Sequence, residues 1–206
     1  MAACACRFDV VQIPGLSIYY GLISPAREQE MIDYVMAREW PPTPTQSGKP
    51  LKRQTQHYGF RYNYAAGHIT EKAPPIEGVI KAFLDHIGKA LNFEFNQVIV
   101  NKYERNDGIT PHIDTPRYGE KIITLSLGDD CVMTFSREPH VYNIYLPRRS
   151  LVVLTGDARY KWMHSISSKV AKSHLPIASD CDPMNAGKVA ERPMGWRRIS
   201  VTARRQ

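Results

Sequence analysis

The apolar residues of this chain follow two rhythms, one in each half. In SPAREQEMIDYVMARE (24–39) and PPIEGVIKAFLDHIGKAL (74–91) they recur every three or four positions, which predicts two helices. Ser24 stands as N-cap of the first, with Pro25 at the first helical position, where a missing N–H does no harm. In the second, Ile76, Val79, Ile80, Phe83, Leu84, Ile87 and Leu91 keep one face apolar. PPTPTQSGKP (41–50), between them, reads as loop. From about residue 97 the pattern shortens to strands: QVIVNKYE, KIITLSL, CVMTFS, VYNIYLP, SLVVLT, KWMHSI and RRISVTAR, each bounded by Gly, Asp, Pro or Asn. Short strands at such intervals predict a barrel or jelly roll. The expected fold is mainly β with flanking helices (α+β), two N-terminal helices packing on a double sheet. Residues 167–195 are polar and aperiodic and read as a long excursion before the last strand.

Composition changes this picture little. The chain of 206 residues is long enough for one domain with a real core, its helical part over 1–96 and its strands over 97–206. No run of about 18 apolar residues predicts a membrane span, and the first residues lack the pattern of a secretory leader. Cys4, Cys6, Cys131 and Cys181 have neither disulfide-like nor zinc-like spacing, which points to free thiols in the cytoplasm or nucleus. A net charge of +7 favours an anionic partner, nucleic acid above all.

The chemistry begins in GITPHIDT. His112 and Asp114 are two apart, so an extended backbone sends both side chains to one face. An imidazole and a carboxylate there are two parts of a facial iron triad, which needs one more histidine and leaves positions open. The competing reading is a turn in which His and Asp bond each other. Of the other histidines, His86 lies on the second helix, His140 in a turn and His174 in the polar excursion, whereas His164 falls on the strand KWMHSI and is the favoured third ligand.

The last strand adds a second site. Arg198 and Arg204 are six apart, hence on one face, with Ser200 between them. Two guanidiniums along a strand suit a short dicarboxylate lying between them, and Asn101 and Tyr103, which also share a face, can donate to its oxygens. A solvated basic tail is the competing reading.

Together, N-x-Y, H-x-D, a distal His preceded by GDAR, and R-x-S-x-x-x-R resemble the AlkB family of Fe(II)/2-oxoglutarate dioxygenases, in the family's order over about residues 97–204. GITPHIDT, LPRRSLVVLTGDARYKWMHSI and LKRQTQHYGFRYNY resemble the branch that acts on the tRNA wobble uridine. The resemblance implies a double-stranded β-helix, with Fe(II) on His112, Asp114 and His164. It places the far carboxylate of 2-oxoglutarate on Arg198, assisted by Tyr103 and Asn101, and Arg204 nearer the metal. It implies that O2 and 2-oxoglutarate are consumed, giving succinate and CO2, as a substrate C–H bond is oxidised. One departure bears on the substrate. Repair enzymes of the family carry a second acid two residues after the metal Asp, and Pro116 stands there. The tRNA-directed branch fits better, with a demethylase of N-alkylated RNA or DNA bases as the alternative. A metal-binding nucleic-acid module without oxygenase activity is a third reading. The branch often carries RNA-binding and methyltransferase domains, for which this chain has no room, so such partners would be separate proteins.

For the substrate, HYGFRYNY puts Tyr58, Phe60, Tyr62 and Tyr64 at alternate positions, near Lys52, Arg53 and Arg61. Rings beside cations can stack bases and neutralise phosphates, and by family position the segment belongs to a lid. A core-facing aromatic strand fits the same spacing. Arg159 is expected along the same cleft, Trp162 in the core, and Lys161, Lys169 and Lys172 on a basic rim.

Overall fold

The structure is a computed structural model, and its described residues are 6–169 and 185–206. The N-terminal part runs β1 (Cys6–Asp9), β2 (Leu16–Tyr20), α1 (Pro25–Met36), β3 (Gln54–Tyr58), β4 (Phe60–Asn63), β5 (His68–Lys72) and α2 (Gly78–Leu91). Then follow β6 (Gln97–Glu104), β7 (Ile109–His112), β8 (Ile122–Gly128), β9 (Cys131–Arg137), β10 (His140–Leu146) and β11 (Leu151–Leu154). Short α3 (Gly156–Tyr160), β12 (Met163–Ile166) and β13 (Arg197–Arg204) complete the described elements. Seven strands form one antiparallel sheet, β1-β2-β11-β8-β13-β6-β3, and four form a facing one, β10-β9-β12-β7. This is the double-stranded β-helix, or jelly roll, that the strand pattern and the resemblance predict.

Alternation on the large sheet explains how it serves two cores. Val98 and Val100 of β6, Ile123, Leu125 and Leu127 of β8, and Ile199, Val201 and Ala203 of β13 face the helices. Met31 and Val35 of α1, with Val79, Ile80, Phe83, Leu84 and Ile87 of α2, close over them. The other phase of the same strands turns toward the small sheet. There Ile122, Val152 and Leu154 pack with Met133, Phe135 and Trp162, so Trp162 is a core residue as its type suggests. On β6 and β13 the inward phase is polar, with Asn101, Arg198, Ser200, Thr202 and Arg204 lining an internal cavity.

Both helices start or stop inside the ranges their periodicity predicts. Ser24 Oγ accepts from Arg27 N at 3.2 Å, as an N-cap should, and α1 ends at Met36. Pro74 and Pro75 stay outside α2, which ends at Asn92 in the left-handed conformation. The Glu28 carboxylate, 1% exposed, accepts from Gly128 N and from Arg148 and Arg149, tying α1 to two turns of the jelly roll. Strands β1, β2 and β5 are not foreseen by the sequence pattern. Of the excursion over 167–195, residues 170–184, with Lys172, His174 and Cys181, lie outside the described residues, as does Cys4. Cys6 and Cys131 are free thiols.

HYGFRYNY is not one strand. Gly59 takes φ +74°, and a Cβ there would meet Asn96 O at 2.0 Å, so the chain bends at this point. Before the bend, β3 joins the large sheet beside β6. After it, β4 pairs only with β5, as a separate hairpin. The four rings therefore do not share one face.

Candidate active site

β7 and β12 pair antiparallel with His112 directly opposite His164. Side chains opposite one another on a sheet stand side by side, and the two imidazole centroids lie 4.3 Å apart. Asp114 follows two residues after His112, and its Oδ2 is 3.7 Å from His164 Nε2. One ligand atom from each of the three residues falls within 4.8 Å of the others, a group that can hold a metal ion.

His112 and Asp114 are each oriented by a hydrogen bond. His112 Nδ1 lies 2.8 Å from Thr110 O, which accepts its proton and leaves Nε2 bare. Asp114 Oδ1 accepts from Arg204 Nη1 at 2.5 Å, which leaves Oδ2 as the free oxygen. Arg204 is itself fixed by Gln97 Oε1 at 2.6 Å and lies 3.8 Å from the Tyr118 ring centroid. Burial pushes His164 down to about 4, with His112 adding to the shift and Asp114 opposing it, so the ring is neutral near pH 7. Burial alone would raise Asp114, but Arg204, His164 and His112 outweigh it and hold the carboxyl below its ordinary range. Two imidazoles and one carboxylate oxygen make a donor set suited to Fe(II), with other positions left open.

The cavity beyond this cluster has a volume of about 330 Å³. Arg204 stands at its metal end. Arg198 stands toward the other, 1% exposed, donating to Ser126 Oγ at 2.9 Å and lying 5.5 Å from the Tyr103 ring centroid. The buried Nε of Arg198 has no hydrogen-bond partner among the described residues, a donor turned to a missing acceptor. Asn101 is 3.5 Å from Ser200 Oγ through Nδ2, while its Oδ1 accepts from Arg53 Nε at 3.0 Å. The residues expected around a dicarboxylate thus line one cavity, and RRISVTAR is a central strand rather than a solvated tail.

The substrate side needs correction. Arg159 does not line the cavity. It is 1% exposed, and its guanidinium donates to the carbonyls of Asp114 (2.8 Å), Thr115 (2.7 Å) and Tyr118 (3.3 Å), clamping the loop that carries the metal carboxylate. Tyr58 is buried in the core under the helices and donates to Gln56. Phe60 is half-buried away from the cavity, and its carbonyl accepts from Gln97 Nε2 at 3.1 Å. Arg61 is an exposed partner of Glu71, and Lys52, Lys161 and Lys169 are exposed. Only Arg53, Tyr62 and Tyr64 of the expected group reach the cavity. Sequence reasoning missed Gln97, Ser126 and Tyr118. Gln97 opens the strand that carries Asn101 and Tyr103, which is the one signal that could have found it.

Among the described residues, no helix is long and apolar enough to cross a membrane. Residues 15–204 match the 2OG-Fe(II) oxygenase superfamily. The chain is 33% identical over 166 residues to a Xenopus tropicalis tRNA (carboxymethyluridine(34)-5-O)-methyltransferase, alkbh8, covering 76% of this chain and 26% of that protein. It is 29% identical over 189 residues to an Arabidopsis thaliana alkylated DNA repair protein, ALKBH8 homolog, covering 76% of this chain and 51% of that one. The chain thus spans between a quarter and a half of these relatives. Among solved structures, OsALKBH1 superposes with a TM-score of 0.70 at 14% identity, over 94% of this chain and 97% of that one. A Pseudomonas putida prolyl-4-hydroxylase superposes at 0.59 and 12% identity, over 93% and 92%, and both likenesses are of fold. The chain belongs to the 2OG-Fe(II) oxygenase superfamily and, within it, to the AlkB-type dioxygenases, which take Fe(II), 2-oxoglutarate and O2.

Proposed function

We propose that this chain oxidises RNA, hydroxylating a modified uridine at the wobble position of tRNA. The observation that carries the reading is the 33% identity, over 166 residues, with a relative named as a tRNA (carboxymethyluridine(34)-5-O)-methyltransferase. The cavity mouth supports it. Tyr62 and Tyr64 stand edge to face at 4.9 Å, and the Arg53 guanidinium lies 5.6 Å from the Tyr64 ring centroid. A flat base can stack on such rings.

In this reading His112 Nε2, Asp114 Oδ2 and His164 Nε2 would hold Fe(II), which when bound would supply the activation of O2 with 2-oxoglutarate. Arg198 takes the far carboxylate, helped by Ser200, Asn101 and Tyr103. Arg204 engages Oδ1 of Asp114, which leaves Oδ2 as the oxygen that would face the ion. The apolar walls from Ile109, Ile122, Met133 and Leu154 keep water from the reacting end. Pro116 offers no acceptor for the amino edge of a methylated base. The RNA is held by this chain or by a separate methyltransferase or RNA-binding protein.

The test is stoichiometric succinate release. With tRNA carrying a modified wobble uridine, we expect one succinate per hydroxylated uridine, and none from His164→Ala. Turnover with N-methylated oligonucleotides but not with that tRNA would assign the demethylase reading, which a Danio rerio relative named a probable RNA/DNA demethylase also invites, at 26% identity.

A further inference from the structure

A second cavity, of about 560 Å³, opens on the far side of the tyrosine wall. Tyr62 and Tyr64 line both cavities, so the two rings form a partition between them. The outer cavity is walled by Pro41, Pro42 and Pro44 on one side and by His57 on its floor. Most of its polar groups are already satisfied. Gln56 donates to Val35 O and Glu39 O, Tyr58 donates to Gln56, and Thr43 pairs with Thr55. What remains is a slot of flat apolar surface. His57 Nδ1 accepts from Tyr62 N at 3.3 Å. Burial first, then Arg61, Arg204 and Arg53, push this imidazole down to about 4, so it presents a neutral edge.

The rim is cationic. Arg38 and Arg61 both border the slot, with Glu39 as the one acid among its lining residues. Among the described residues Arg61 is bound only to Glu71, in a pair exposed on both sides and worth little in water. A ligand for this place is planar and apolar in its ring and anionic in its attachment. Because the partition is shared, that ligand is also within one chain link of whatever fills the metal cavity.

We infer that the outer cavity is a second base subsite, taking a nucleobase adjacent to the target on the same RNA strand. The target base then stacks on one side of the Tyr62–Tyr64 wall and its neighbour on the other, with the connecting phosphate beside Arg61. This rests on the RNA reading above. It adds that the enzyme reads two nucleotides rather than one, and that the oxidised base is recognised in the context of its neighbour.

The experiment is fluorescence anisotropy with a labelled seven-nucleotide single-stranded RNA, and the same strand made abasic at either position flanking the central uridine. The full chain is loaded with Mn(II) so that no turnover occurs. One of the two abasic strands should bind wild type about tenfold more weakly, the loss of one stacked base. In Pro42→Trp, where an indole on an exposed loop position fills the slot, the intact strand should bind as weakly as the abasic one, and the abasic penalty should vanish. A melting curve confirms that the variant is folded, and the abasic series on wild type needs no variant at all. Binding to the intact strand with no penalty at either flank, or a penalty unchanged in Pro42→Trp, overturns the second subsite and leaves the RNA reading standing. No binding to any strand overturns both.

Discussion

Strand β13 and the hairpin β4–β5 each point alternate side chains into the metal cavity, but they are anchored in opposite ways. β13 is hydrogen-bonded along its length to β6 on one side and β8 on the other, and its outer face is locked under both helices. β4 pairs only with β5, with a register shift between Arg61 and Tyr62. The guanidiniums of Arg198 and Arg204 therefore sit where neighbours on both sides fix them. The rings of Tyr62 and Tyr64, proposed to meet substrate, sit on a two-stranded ribbon with fewer neighbours. Groups that act on an unvarying co-substrate gain from rigidity, while a surface that must admit a polymer gains from give.

The largest departure should come from the rigid side. Arg198→Met removes a buried cation from a carboxylate, which typically costs 2–5 kcal/mol, so the KM for 2-oxoglutarate should rise about a hundredfold with RNA affinity unchanged. If RNA affinity fell equally, the two regions would not be separable. Next is Gln97, which joins them, since it accepts from Arg204 and donates to the Phe60 carbonyl of the hairpin. Gln97→Leu removes both bonds. Manganese affinity in calorimetry should drop by about tenfold, the usual cost of a lost outer partner of a metal ligand. No change would mean that Arg204 holds its place unaided.

A smaller effect should appear with pH. His57 and His164 both have folded values near 4 against an ordinary 6.5. Unfolded chains bind those protons more readily, so stability is complete above about 6.5 and falls as pH drops toward 4. In metal-free protein, His57→Gln should flatten the fall in chemical-denaturation stability across that window by on the order of 1–3 kcal/mol. The smallest is Lys52→Glu, a change at an exposed position. It should weaken RNA binding a few-fold at low salt, reduce the salt slope by about one, and leave uncoupled 2-oxoglutarate turnover unchanged. Arg53 does not belong in that test, because it is buried against Asn101.

How much of this was legible follows the same division. His112, Asp114 and His164 could be found because period-two spacing and a strand assignment are enough to bring ligands together. Arg198 and Arg204 could be placed on one face, but a polar phase facing an internal cavity looks in sequence like one facing water. Only the burial of Ile199, Val201 and Ala203 under the helices decides between them. The hairpin was misread for want of one dihedral angle. Gly59 at positive φ breaks an alternation that would otherwise have carried all four rings to the same side. Arg159 was misread because a guanidinium can serve main-chain carbonyls as readily as a substrate, and sequence does not say which acceptors lie nearby.

The two-faced strand has a further consequence. Because β13 carries arginines into the cavity on one face and core residues under the helices on the other, a disturbance of α1 or α2 has a direct path to those arginines through one ribbon of backbone. A cavity made on the dry side, such as Val201→Ala, should loosen the grip on 2-oxoglutarate without touching it, and the Michaelis constant would then serve as a gauge of how firmly the helices are seated.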